Sequence, residues 1–279
     1  MKRLIACLLL ITLSLPYITG KNHNTGLRVL FIGDSITDGN WGGGGKASAE
    51  RNHWDKNHLF GSGYMYLCAA EFTGHYPEAN LEFFNRGISG NTLDDLYNRW
   101  EEDVLNICPD VLSILIGIND VSHAMEKSLP AQFDIKIWEQ KYRFLLDQAL
   151  AQNPNIQIVL AQPFAINISK IAERFNERMQ LLAQCTEVIY KIAKDYKAIF
   201  LPYQSVFDEA IRKYNVPPSH WIWDGIHPTV SGHQLMADLW VEKTKNILLS
   251  SSLPSTLSSA QSPHRKEACI AKYKKRECY

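Results

Sequence analysis

Leu27 to Ile32, Leu81 to Phe84, Val111 to Ile116, Ile156 to Leu160 and Ala198 to Leu201 are short runs, mostly β-branched, aliphatic or aromatic. Runs of this kind suit strands covered on both faces, as in a parallel sheet. Longer segments with helical periodicity lie between them. Trp138, Tyr142, Leu145, Leu146 and Ala149 fall on one helix face, and Leu235, Met236, Leu239, Trp240 and Ile247 repeat the pattern near the end. Strand–helix alternation over residues 25–250 predicts the α/β class, as a three-layer α/β/α sandwich on a central five-stranded parallel sheet. With 279 residues and 46% hydrophobic content, the chain is large enough for one such domain with a full core.

The flanks read differently. Met1-Lys2-Arg3 precedes an apolar run from Leu4 to Leu15, then Pro16 and Gly20. A basic head, an apolar stretch of about 12 residues and a small residue describe a signal peptide over residues 1–20. The run is too short for a membrane span, which needs about 20 residues. The expectation is a secreted or periplasmic protein with no stable membrane insertion, and Cys7 lies too early for a lipid anchor. Residues 251–279 are Ser/Pro-rich and then basic, which predicts a disordered tail. Removing Cys7 leaves Cys68, Cys108, Cys185, Cys269 and Cys278, an odd number. The first three are expected as buried thiols, while Cys269 and Cys278 are close enough in the tail to pair. Lys+Arg and Asp+Glu both number 29, which gives no basic footprint for nucleic acid. No CxxC or Cys/His cluster argues for a metal.

In open parallel sheets, ligands bind beyond the carboxyl ends of the strands. Gly33-Asp34-Ser35 leaves the first strand, Asn85-Arg86-Gly87 through Gly90 follows the second, and Gly117-Ile118-Asn119-Asp120 follows the third. All three turns are expected at one edge. A serine placed there needs a base for its proton and donors for an oxyanion. Asp224-Gly225-Ile226-His227-Pro228 supplies the base: a carboxylate three residues before an imidazole can hold one ring nitrogen and present the other. Pro228 keeps His227 out of helical conformation, with a helix starting after it under a Thr229 cap. Each motif alone is commonly an ordinary turn; the combination at strand ends is specific.

Taken together, GDSITDG, RGISGNT, GIND and DGIHP resemble the blocks of the SGNH (GDSL) hydrolase family. The resemblance implies a flavodoxin-like fold, a nucleophile at Ser35 and a triad completed by Asp224 and His227. It also implies an oxyanion hole from the N–H groups of Ser35 and Gly90 and the Asn119 amide, with no metal or other cofactor. The second glycine of the G-x-S-x-G elbow is missing, so Ser35 sits on a different turn. The exported carbohydrate acetylesterases are the members this chain resembles most, which implies a small-molecule or polysaccharide ester as substrate. Asp34 is expected to brace the loop or to line the substrate site. Trp41, His53 and Trp54, in the long insertion from Asn40 to Gly63, are candidates to line the cleft. His233, Ser89, Ser231 and His123 are expected to be structural. The alternatives are a lysophospholipase or thioesterase, a metal-dependent phosphoesterase, and a non-catalytic glycan-binding protein that keeps the fold.

Overall fold

The five apolar runs pair as one parallel sheet in the computed structural model, which describes residues 26–39, 60–126 and 133–250. The strands are β1 (Arg28–Gly33), β2 (Glu82–Gly87), β3 (Val111–Leu115), β4 (Gln157–Ala161) and β5 (Ile199–Leu201), in the order β2-β1-β3-β4-β5. The described helices are α1 (Ser35–Asp38), α2 (Tyr64–His75), α3 (Leu93–Asn98), α4 (Ile118–Glu126), α5 (Ile135–Gln152), α6 (Phe175–Asp195), α7 (Tyr203–Lys213) and α8 (Val230–Ser250). Right-handed crossovers decide the layers. The step from β1 to β2 runs one way along the sheet and the steps through β3, β4 and β5 run the other, so α2 lies on one face and α3 to α6 on the opposite one. Contacts agree: α2 and α7 pack on α8, while α3 and α6 pack on α5.

Both faces of the central strands are therefore in the core. Phe31 of β1 packs against Tyr64, Phe83 and Trp240, with ring centroids 4.7–6.5 Å apart. The polar residue of β3, Ser113, accepts the Trp240 indole N–H at 3.1 Å, so its burial costs little. Trp138, Tyr142, Leu145, Leu146 and Ala149 are all buried along α5, as the periodicity predicts. Cys68 and Cys185 are buried thiols. Cys108 is not: it is buried yet disulfide-bonded, with a partner outside the described residues. Burial and pairing are compatible, and the apolar context alone did not separate them. The signal segment, the tail with Cys269 and Cys278, and Trp41, His53 and Trp54 also lie outside the described residues.

Asn85-Arg86-Gly87 is not the turn after the second strand but its second half, in register with Phe31, Ile32 and Gly33. Two interior polar residues concealed the strand. Asn85 is fully buried because its side chain closes a local network. Its amide donates to the carbonyls of Thr37 at 2.9 Å and Phe60 at 2.8 Å, and its Oδ1 accepts from the Gly87 N–H at 2.9 Å. That network joins β2, α1 and the segment entering α2. Asn85→Ala would leave these backbone groups buried without partners, at a cost of at least about 2 kcal/mol. Urea unfolding should show a lowered midpoint with an unchanged slope; an unchanged midpoint would refute the bracing role.

Candidate active site

Gly33 ends β1 between β2 and β3. A Cβ there would sit 2.2 Å from the Leu115 carbonyl oxygen, so only glycine lets the strand end this close to β3. The chain then leaves the sheet at Asp34, whose Oδ1 accepts the Ile36 N–H at 2.9 Å and caps α1. Ser35 is the first residue of that single turn, where backbone N–H groups lack intrahelical partners. Asp34 itself is fully buried and does not reach a surface. Of the two roles expected for it, bracing is the one its hydrogen bond serves. Its Oδ2 has no hydrogen-bond partner, and burial pushes its carboxyl up to about 7, with the charge of Asp120 adding to the effect.

The Asp224–His227 turn reaches the same place from the far end of the chain. An antiparallel bridge between Ile222 and Pro228 closes it, the Trp223 N–H donates to the His227 carbonyl at 3.0 Å, and Thr229 Oγ1 accepts from Gly232 at the start of α8. Within the turn, Asp224 Oδ1 accepts the N–H groups of Ile226 and His227 at 3.0 and 2.7 Å. That leaves Oδ2 to meet His227 Nδ1 at 2.6 Å, while Nε2 lies 3.0 Å from Ser35 Oγ. Burial works to raise the Asp224 pKa, but the imidazole and the two N–H groups outweigh it and hold the carboxyl below its ordinary value. An ionised Asp224 fixes the tautomer that turns an unprotonated Nε2 toward the hydroxyl. The result is a hydrogen-bonded relay able to take the Ser35 proton.

The other two exits supply donors. Gly90 has φ +83°, a left-handed conformation suited to glycine, and a Cβ would meet nothing within 4 Å. Asn119 lies in the first turn of α4. The Val121 N–H bonds the Gly117 carbonyl, and the Asn119 amide donates instead to the Asn91 carbonyl at 3.0 Å. The side chain therefore does not cap its own turn. One amide N–H reaches across to the Gly90 loop, and the amide carries a second.

Several neighbours surround these groups. Ser89 donates to Asp38 at 3.0 Å, tying the Gly90 loop to α1. Asp120 accepts from the Leu93 N–H at 3.1 Å and the Trp138 indole at 2.9 Å, and burial raises its carboxyl to about 6. Trp223, next to Asp224, stacks on His227 with centroids 5.9 Å apart. His233 is buried, as expected of a structural residue. It accepts the Tyr64 N–H at 3.1 Å at the start of α2, and burial lowers its pKa to about 4. His123 lines a polar hollow of about 270 Å³ with Thr92, Asp94, Asp120, Trp138 and Lys141. Among the described residues, no group of His, Cys, Asp and Glu is arranged to hold a metal, and no helix is long and apolar enough to cross a membrane.

This fold and these strand-end blocks define an ester hydrolase of the SGNH type. The chain belongs to the GDSL-like lipase/acylhydrolase family, whose sequence profile matches residues 31–235. It is similar to an acetylxylan esterase of Geobacillus stearothermophilus, with 34% identity over 215 residues, 76% of this chain and 91% of that protein. Among solved structures, a protein described as a GDSL-like lipase from Parabacteroides merdae has 35% identity and a TM-score of 0.69, covering 79% of this chain and 96% of its own. A variant of Axe2, an acetyl-xylooligosaccharide esterase of G. stearothermophilus, has 31% identity and a TM-score of 0.65, covering 78% and 94%. Solved variants of Axe2 called catalytic replace a serine, an aspartate and a histidine, the last two three positions apart. Asp224 and His227 have the same spacing. The chain is accordingly a carboxylic ester hydrolase.

The buried Asp34 gives the fold a pH signature. Between about pH 4, where an ordinary aspartate titrates, and about 7, the folded chain keeps a proton that the unfolded chain has released. The folded state binds more protons, so this contribution to stability falls as pH rises through that window. Asp34→Asn keeps the Oδ1 cap and removes the titration. Its melting temperature relative to the wild type should climb from pH 4 to 7 and then level off; a difference independent of pH would contradict the assignment.

Proposed function

We propose that this chain is an exported serine esterase that removes short acyl groups, above all acetyl, from carbohydrates through an acyl-enzyme. The observation that carries the reading is the relay from Ser35 Oγ to His227 Nε2 at 3.0 Å and from Nδ1 to Asp224 at 2.6 Å. As Ser35 Oγ attacks the ester carbonyl, His227 takes its proton and Asp224 stabilises the imidazolium. Negative charge forms on the former carbonyl oxygen, where the N–H groups of Ser35 and Gly90 and the amide of Asn119 are the donors at hand. Collapse breaks the bond to the sugar oxygen, which takes the proton from His227 and leaves as the hydroxyl. Water, activated by the same imidazole, then releases the carboxylic acid and frees Ser35.

The choice of substrate rests on the relatives, which are named for acetylated xylan and xylooligosaccharides. Export rests on the basic head and apolar run at the N-terminus. Acetate release from acetylated xylooligosaccharides, measured beside p-nitrophenyl esters of increasing chain length, tests the substrate. Acetyl esters should be the best substrates, and dialysis against EDTA should leave the rate unchanged. A preference for long acyl chains or lysophospholipids would favour the lipid hydrolase reading instead. Loss on chelation with recovery on adding zinc or manganese would reopen the phosphoesterase.

Ser35→Ala and His227→Ala should each lower turnover by at least about 10³-fold, with the double variant little worse than either, because the two act as one unit. Losses that multiply would refute the shared role.

A further inference from the structure

We infer that Arg99 is a positioning residue for the oxyanion site, acting through Asn91 on the amide of Asn119. This rests on the oxyanion role proposed above for Asn119. Arg99 follows α3 directly, and its side chain is only 14% exposed. Its Nε donates to Asn91 Oδ1 at 2.8 Å, and Nη1 to the Arg86 carbonyl at 2.8 Å and Asp103 Oδ2 at 2.6 Å. Nη2 donates to the Gly33 carbonyl at 3.2 Å. A single guanidinium thus holds the residue before Asp34-Ser35, the end of β2 and the residue after Gly90. Asn91 passes the constraint on, since its carbonyl is the acceptor that holds the Asn119 amide at 3.0 Å.

The loop's other fastenings near Gly90 include the bond from Ser89 to Asp38 at 3.0 Å. The Ile88 N–H bonds Gly33, the Asn91 N–H bonds Ile88, and a capping box at Thr92 and Asp95 starts α3. Only arginine suits the junction. Its planar fork can serve acceptors on three sides at once, whereas a lysine ammonium at the end of a flexible stem cannot. Burial lowers the pKa of Arg99, and Asp103, at ion-pair distance from both Arg99 and Arg86, opposes that shift and keeps the cation in place. The arrangement fixes where the Asn119 amide points. A misplacement of about 1 Å at such a donor can cost on the order of 10²-fold in rate.

The test compares Asn91→Ala, Arg99→Ala and Asn119→Ala, singly and with Asn91→Ala and Asn119→Ala combined, on p-nitrophenyl acetate. Asn91→Ala leaves the Arg99–Asp103 pair intact, so it decides the matter even if Arg99→Ala fails to fold. Asn91→Ala and Arg99→Ala should each lower kcat roughly 10–100-fold with KM within about twofold. Added guanidinium should restore part of the Arg99→Ala loss. Because Asn91 acts through Asn119, adding Asn91→Ala to Asn119→Ala should cost less than about threefold more. A folded Asn91→Ala with wild-type kcat, or losses that multiply in the double variant, would overturn the inference while leaving Asn119 its role. Wild-type turnover in Asn119→Ala itself would instead remove the oxyanion reading, and this inference with it.

Discussion

The position of Gly33 is the constraint on which the site depends. It is in register with Gly87 on one side and Leu115 on the other, so β1, β2 and β3 end at one level. The strand order reverses at β1: the chain reaches β2 by one face of the sheet and β3 by the other. At such a switch point the connections part and leave a crevice beyond the strand ends. Ser35 leaves from the middle of it, with Gly90 and Asn119 on either side. The absence of a Cβ at Gly33 makes the approach possible, since any side chain would strike the Leu115 carbonyl.

The same edge shows how environment separates groups of identical chemistry. Asp34 is fully buried and Asp120 partly so, each with one oxygen bonded to N–H donors and the other unpartnered, and desolvation raises both. Asp224 is also desolvated, but both its oxygens are occupied by N–H donors and the imidazole, and its pKa falls. The carboxyl whose pKa falls is the one placed against His227. The others brace turns, and their cost in stability is compatible with a fold that has a continuous core on both sides of the sheet.

Much of this was legible in the sequence, because the sheet and the family's sequence blocks are local patterns. The five strands and the α5 face follow from apolar spacing, Ser35 from a short motif at a strand exit, and Asp224 and His227 from a short motif in the turn before α8. What was missed depends on distant partners. The apolar run of β2 ends at Phe84 because Asn85 is polar; its acceptors in Thr37 and Phe60 lie 48 and 25 residues away in the chain. Asn91 and Arg99 look like ordinary surface residues until the fold brings Gly33, Arg86 and Asn119 beside them. Cys108 read as a buried thiol because nothing local to it announces a partner.

The central claim is that Ser35 is the nucleophile and that His227 activates it. Labelling with a p-nitrophenyl alkylphosphonate, followed by peptide mass spectrometry, tests both at once, because the reagent is captured only by an activated hydroxyl. One phosphonyl group per chain is expected, on the peptide containing Ser35, with loss of esterase activity in step with labelling and almost no labelling of His227→Ala. Stoichiometric label on another residue, or undiminished labelling of Ser35 in His227→Ala, would contradict the claim.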